Sequence, residues 1–168
     1  MDEVQILPMR EEDYDAVRAL WMTIRGFGIR ALDDSREDVA RFIRRNPTTS
    51  VVAMVGGRIV GSILCGSDGR QGALYHVCVA REYRRKRIGT RMVGYCMERL
   101  REMGINKVAL IAFANNDVGN AFWRQIGWKK CDVNYYEFVL NGKNITRFIG
   151  EDNEDCHHSR RRDGGCGL

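Results

Sequence analysis

Leu74-Tyr75-His76-Val77-Cys78-Val79, followed by Tyr83-Arg84-Arg85-Lys86-Arg87-Ile88-Gly89-Thr90, is the stretch on which the fold turns. The first run is apolar and predicts a buried strand. From Gly89 to Met103 the residues Met92, Tyr95, Cys96 and Leu100 recur at helical spacing, and Gly104 stops the pattern. The unit is therefore strand, basic turn, helix. A turn that opens a helix leaves several backbone N–H groups unpaired and pointing the same way. Together with the helix dipole they form an anion site, to which arginine and lysine add charge-assisted bonds. Between Arg81 and Arg91 six basic residues stand against Glu82 alone, a local excess as large as the net charge of +5 carried by all 168 residues. Charge this focal suits a compact polyanion such as a pyrophosphate better than a long phosphate track. On charge alone, a solvated basic helix start is an equal alternative. The patterns G-x-x-x-x-G-K-[ST] and G-x-G-x-x-G are both absent, so the turn is neither a P-loop nor a dinucleotide fingerprint.

Working outward, the pattern toward the N-terminus is helical and then extended. Tyr14, Val17, Leu20, Trp21 and Ile24 mark one helix. A second begins at Asp34 or Ser35, with Asp38 three residues after Ser35, and ends at Asn46-Pro47. The intervening Gly26-Phe27-Gly28-Ile29-Arg30 reads as mobile. Ser50 to Val55 and Arg58 to Cys65 flank Gly56-Gly57 as a hairpin. Toward the C-terminus, Lys107 to Phe113 reads as a strand and Asn116 to Ile126 as a helix closed by Gly127. Trp128 to Val133, Tyr135 to Leu140 and Ile145 to Ile149 read as further strands. The order predicts one mixed α/β domain over residues 1–150. A polar, glycine-rich tail follows over 151–168.

Composition agrees with a globular domain, at 44% hydrophobic and 29% charged residues. The acidic start Met1-Asp2-Glu3-Val4 lacks the features of a signal peptide, and no apolar run reaches membrane-spanning length. A cytoplasmic protein without membrane contact is expected. The six cysteines contain no C-x-x-C pair, and Cys65, Cys78 and Cys96 lie in apolar segments as reduced, packed thiols. Cys156-His157-His158 with Cys166 matches no metal-ligand spacing, so no metal is expected. Basic residues confined to one turn argue against a nucleic-acid partner.

Tyr83 to Thr90 resembles the CoA-pyrophosphate signature of the GNAT superfamily of N-acetyltransferases, [QR]-x-x-G-x-[GA], preceded by a hydrophobic strand. Asn116-x-x-Gly119-x-x-Phe122-Trp123-Arg124-Gln125-Ile126-Gly127-Trp128 is similar to the family's N-x-x-A-x-x-[FL]-Y-x-x-x-G-[FW] segment, and one helix and one strand separate the two. With the hairpin Val52-Ala53…Gly61-Ser62-Ile63, the resemblance covers Met1 to Ile149. It implies a mostly antiparallel twisted sheet of about 6–7 strands, a central splayed parallel pair (Ala73 to Val79 and Lys107 to Phe113), and about four flanking helices. It further implies acetyl-CoA or CoA as cofactor. Val77, Cys78 and Val79 would pair with the pantetheine arm, and Arg84, Arg85, Lys86, Arg87, Ile88, Gly89 and Thr90 would hold the pyrophosphate. Asn116, Gly119, Phe122 and Trp123 would line the cofactor.

Two departures from the family pattern matter for the chemistry. Arg87 replaces the first glycine, which costs about 1 kcal/mol or more if that position requires positive φ. Trp123 replaces the tyrosine proposed to protonate the leaving thiolate, and an indole supplies no proton. For the general base, Tyr75 and His76 are the candidates, and strand alternation places them on opposite faces. The resemblance puts Trp21, Phe27, Leu32, Asp33 and Asp34 over the acceptor, although Asp34 also suits a helix cap. The expected reaction is acetyl transfer from acetyl-CoA to a primary amine of a small molecule or a peptide, by direct attack in a ternary complex. A CoA-binding protein of the same fold without turnover is the alternative. Homodimerisation through the exposed final strand is a further implication of the family.

Overall fold

A computed structural model describes residues 3–150. Five strands form the main sheet in the order β1-β3-β4-β5-β6: Gln5–Pro8, Val51–Val55, Arg58–Ser67, Gly72–Val79 and Val108–Ala109. Four helices flank it: α1 (Tyr14–Trp21), α2 (Arg36–Arg45), α3 (Ile88–Glu102) and α4 (Asp117–Gln125). All pairings in this sheet are antiparallel except β5 with β6. The mixed architecture, the parallel pair and the four helices are as expected.

Local chemistry accounts for most boundaries. Gly56 and Gly57 have φ of 55° and 78°, the paired positive values that a two-residue hairpin turn needs. Ser35 caps α2 by accepting a hydrogen bond from the Asp38 amide at 3.2 Å, and the helix ends at Asn46. Thr49 and Ser50, both buried, donate side-chain hydrogen bonds to the Cys65 carbonyl and so staple the start of β3 to β4. The core lies on both faces of the sheet, with Val17, Trp21 and Val39 from α1 and α2 on one side and Met92, Cys96 and Leu100 from α3 on the other. No helix among the described residues is long and apolar enough to cross a membrane.

Three expectations require correction. Gly28–Arg30 is not a mobile loop but a strand, β2, paired antiparallel with β7 (Thr146–Phe148) in a separate two-stranded ribbon. Gly28 lies so close to β7 that a Cβ there would stand 3.1 Å from Phe148 and Thr146. Next, 128–140 contains no strand, so the main sheet has five strands rather than six or seven. Tyr135, Tyr136, Phe138 and Val139 have strand-forming side chains but are exposed and lack a ladder partner. Finally, β6 is only two residues long, because the chain leaves β5 after Ala109. β1 was not foreseen, since four residues flanked by polar chain carry too little periodicity. The tail at 151–168, with Cys156, His157, His158 and Cys166, lies outside the described residues.

Candidate active site

The site is built on β5. Its parallel pairing with β6 covers only Gly72↔Val108 and Ala73↔Ala109. From Leu74 onward that edge of β5 has no strand beside it among the described residues. The Ala80 amide donates to the Val60 carbonyl of β4, so alternation turns the Val79 peptide groups to the open edge. Arg84 Nε donates to the Val79 carbonyl at 3.0 Å, consistent with that direction. The Cys78 carbonyl instead lies toward Gly61 of β4. Of the residues expected to pair with an extended ligand, Val79 presents its backbone to the gap and Cys78 does not.

The basic turn connects β5 to α3. Arg85 and Arg87 both have positive φ, at 64° and 60°. Arg87 is the N-cap of α3, so the position does require the left-handed conformation that the family's glycine would supply. Holding two arginines there costs on the order of 1 kcal/mol or more each. The first helical amide bond runs from Arg91 to the Arg87 carbonyl. The amides of Ile88, Gly89 and Thr90 therefore project from the helix start, a concave arrangement of donors suited to an anion. Arg84, Arg85, Lys86 and Arg87 are all exposed around it. A Cβ on Gly89 would lie 3.3 Å from the Phe122 ring, so the two sequence signatures meet at this point. Trp123 meets Phe122 edge-on and Trp128 at a tilt, with ring centroids 5.0 and 4.9 Å apart. Asn116 caps α4 by accepting the Gly119 amide at 2.9 Å, which commits its carbonyl oxygen to the helix.

A bulge in β5 overturns the expected alternation. The β4–β5 register shifts between Ser62↔Cys78 and Leu64↔Tyr75, and His76 takes φ of 49°. The extra residue puts Tyr75 and His76 on the same side of the sheet. Tyr75 is half-exposed and meets the α2 residue Phe42 edge-on at 6.0 Å. His76 packs between Trp21 and Phe27, with ring centroids 4.6 and 5.2 Å away. Its Nε2 lies 2.7 Å from Asp34 Oδ1.

The residues expected at the acceptor site separate accordingly. Trp21 is fully buried, and its indole N–H donates to Ser62 Oγ at 3.0 Å. Asp34 is buried too, and the α2 cap is Ser35 rather than Asp34. Both therefore lie beneath the surface instead of lining it. Phe27 is partly buried, Leu32 intermediate, and Asp33 exposed in an ion pair with Arg30 at 3.1 Å. Asn144, which sequence reasoning missed, fastens this loop. Its Oδ1 accepts the Leu32 and Asp33 amides at 3.0 and 3.2 Å, and its Nδ2 donates to Asp33 at 2.8 Å. Burial pushes the Cys78 thiol up to about 11, with Ser62 Oγ 3.5 Å from the sulfur. Burial also raises Tyr14, whose hydroxyl donates to the Asp34 carbonyl at 2.7 Å.

β5 thus parts from β6, carries a bulge and leads into a helix start whose free amides suit an anion. The sequence profile of the Acetyltransferase (GNAT) family matches residues 14–128, and the chain belongs to that family of acetyl-CoA-dependent acyltransferases. An acetyltransferase of Sodalis glossinidius (strain morsitans) is 29% identical over 142 residues, covering 84% of this chain and 96% of the relative. One from Pectobacterium atrosepticum is 28% identical over 129 residues, covering 77% and 90%. The crystal structure of the PaiA N-acetyltransferase from Thermoplasma acidophilum in complex with coenzyme A superposes with a TM-score of 0.68 at 17% identity, covering 86% of this chain and 96% of that one.

Proposed function

We propose that this protein transfers an acetyl group from acetyl-CoA to a primary amine of a small molecule or a peptide, by direct attack within a ternary complex. The observation that carries this reading is the edge of β5, which parts from β6 after Ala73 and ends in a turn whose amides and arginines converge. An extended pantetheine arm adds to such an edge as a strand does. A pyrophosphate suits the helix start. When bound, the cofactor supplies an activated thioester carbonyl. The chain's own residues do the remainder. Val77 and Val79 offer backbone groups to the arm. Arg84 braces the turn, while Arg85, Lys86, Arg87 and the Ile88, Gly89 and Thr90 amides hold the phosphates. Phe122 and Trp123 wall the cofactor side, over the capped helix of Asn116 and Gly119.

Direct attack is favoured over an acyl-enzyme because Cys78, at about 11, stays protonated at neutral pH and is a weak nucleophile there. A proton donor for the leaving group is dispensable, since a thiol with a pKa of about 8.5 departs readily as thiolate. Rate then comes from positioning and from removal of the amine's proton, for which His76 is the base and Tyr75 lines the same face. The reduced, buried Cys65, Cys78 and Cys96 support a cytosolic location.

Calorimetry with acetyl-CoA tests the reading. Micromolar binding is expected, weakened roughly 5- to 150-fold by Arg84→Ala/Arg85→Ala, as for about 1 to 3 kcal/mol of lost charge-assisted bonds. Because Arg84 also braces Val79, Arg85→Ala alone separates charge from turn geometry. A wild-type protein that ignores acetyl-CoA would refute the assignment. One that binds it but acetylates no member of an amine library would be a CoA-binding protein without turnover.

A further inference from the structure

The histidine in the bulge has a partner that no sequence pattern connects to it. Asp34 Oδ1 meets His76 Nε2 at 2.7 Å, across 42 positions of chain. The Asp34 side chain is only 5% exposed, whereas that of His76 keeps 16% of its surface open. Asp34 is held on every side. Its Oδ2 accepts the Arg30 amide at 2.7 Å, its own amide donates to the Arg30 carbonyl at 3.2 Å, and its carbonyl accepts the Tyr14 hydroxyl at 2.7 Å. A carboxylate accepts hydrogen bonds and has no proton to give. The bond to His76 therefore requires hydrogen on Nε2, which leaves the lone pair on Nδ1. Among the described residues Nδ1 makes no hydrogen bond, and Trp21 and Phe27 hold the ring in place.

We infer that Asp34 is a positioning residue for acetyl transfer: it sets the His76 tautomer so that Nδ1 is the base, and it neutralises the imidazolium formed when Nδ1 takes a proton. The inference rests on the acetyltransferase reading above. In the step it serves, the amine lone pair forms the new N–C bond and the thioester C–S bond breaks, leaving its electron pair on sulfur. The proton shed by nitrogen passes to His76 Nδ1 and from there to solvent, and the sulfur leaves as thiolate. The geometry also explains why a histidine tolerates φ of 49° in a strand. The bulge swings the ring toward Asp34, and a charge-assisted bond offsets the strain.

The test has one reading without substrate and one with it. In the ligand-free wild-type protein, 15N NMR of the His76 ring, assigned with His76→Gln, is expected to show Nε2 protonated and Nδ1 bare. Protonation on Nδ1 overturns the inference whatever the enzyme acetylates. Asp34→Asn offers an amide N–H to Nε2, so the ring is expected to shift toward the Nδ1–H form. With an amine acceptor, kcat is then expected to fall about 100-fold, the scale of general-base assistance. KM for acetyl-CoA stays within twofold, and Asp34→Glu restores part of kcat. An Asp34→Asn protein with unchanged tautomer and unchanged kcat overturns the role. A wild-type protein that turns over no amine refutes the transferase reading instead, and the ring's tautomer still decides what Asp34 does.

Discussion

The basic turn and the cluster around the His76 bulge are both built on β5, but the chain assembles them in different ways. The turn is contiguous. Val79, the exposed arginines and the amides of Ile88 to Thr90 follow one another within a dozen positions, and one side-chain bond from Arg84 closes the corner. The bulge cluster draws on α1, the loop before α2, β5 and the β2–β7 ribbon, and Asn144 reaches back 112 positions to hold Leu32. A phosphate site needs mainly backbone donors and charge, which local sequence supplies. A base needs an orienting partner, and only tertiary packing supplies that.

The largest effect is expected at His76. His76→Ala is expected to lower kcat by roughly 100- to 10,000-fold while leaving calorimetric acetyl-CoA affinity nearly unchanged. A large loss of affinity instead would show that the two regions are one site. The next effect is at Asn144. Asn144→Ala removes the acceptor of the part-buried Leu32 amide and of the exposed Asp33 amide, for an expected loss of about 0.5 to 1.5 kcal/mol in chemical denaturation. Activity should fall with the loosened loop, whereas binding at the turn should not.

A smaller effect is expected at Arg87, and its sign sharpens the contrast. Arg87→Gly removes the strain of φ 60° and is expected to raise stability by about 1 kcal/mol at most, offset by glycine's greater unfolded-state freedom. If acetyl-CoA binding weakens in the same variant, the guanidinium contacts phosphate. If it does not, Arg87 contributes only its backbone.

The smallest effect is at Cys78. Its folded value of about 11 lies above the ordinary 9.0, so its neutral thiol stabilises the protein fully below about pH 9. That contribution is lost as pH rises toward about 11. Cys78→Ala is expected to flatten this alkaline decline in a thermal-melt series, with no change near neutrality beyond the loss of packing.

Much of this was legible in advance, and the misses share a cause. The hairpin at Gly56-Gly57, the Ser35 cap, the ends of α3 and α4 and the basic turn each rest on interactions within a few residues, which composition and spacing encode. β2 was misread because Gly26 to Arg30 looks like a loop until Thr146 to Phe148 lies beside it. Tyr135 to Leu140 was misread in the opposite direction, since its residues favour a strand but the sheet offers it no edge. Alternation separated Tyr75 from His76 because a bulge shows in a register and not in a residue pattern.

Within the sequence alone lay the family, the basic turn before α3 and the order of most elements, because periodicity, turn chemistry and clustered charge act over short distances. Tertiary packing alone placed His76 on its face, buried Trp21 and Asp34, and brought Asp34 to the imidazole. Those outcomes depend on where a two-residue β6 ends, where β5 bulges and what the β2–β7 ribbon ties down. Each is a contact between segments far apart in the chain, fixed by packing and hydrogen bonding that no local pattern carries.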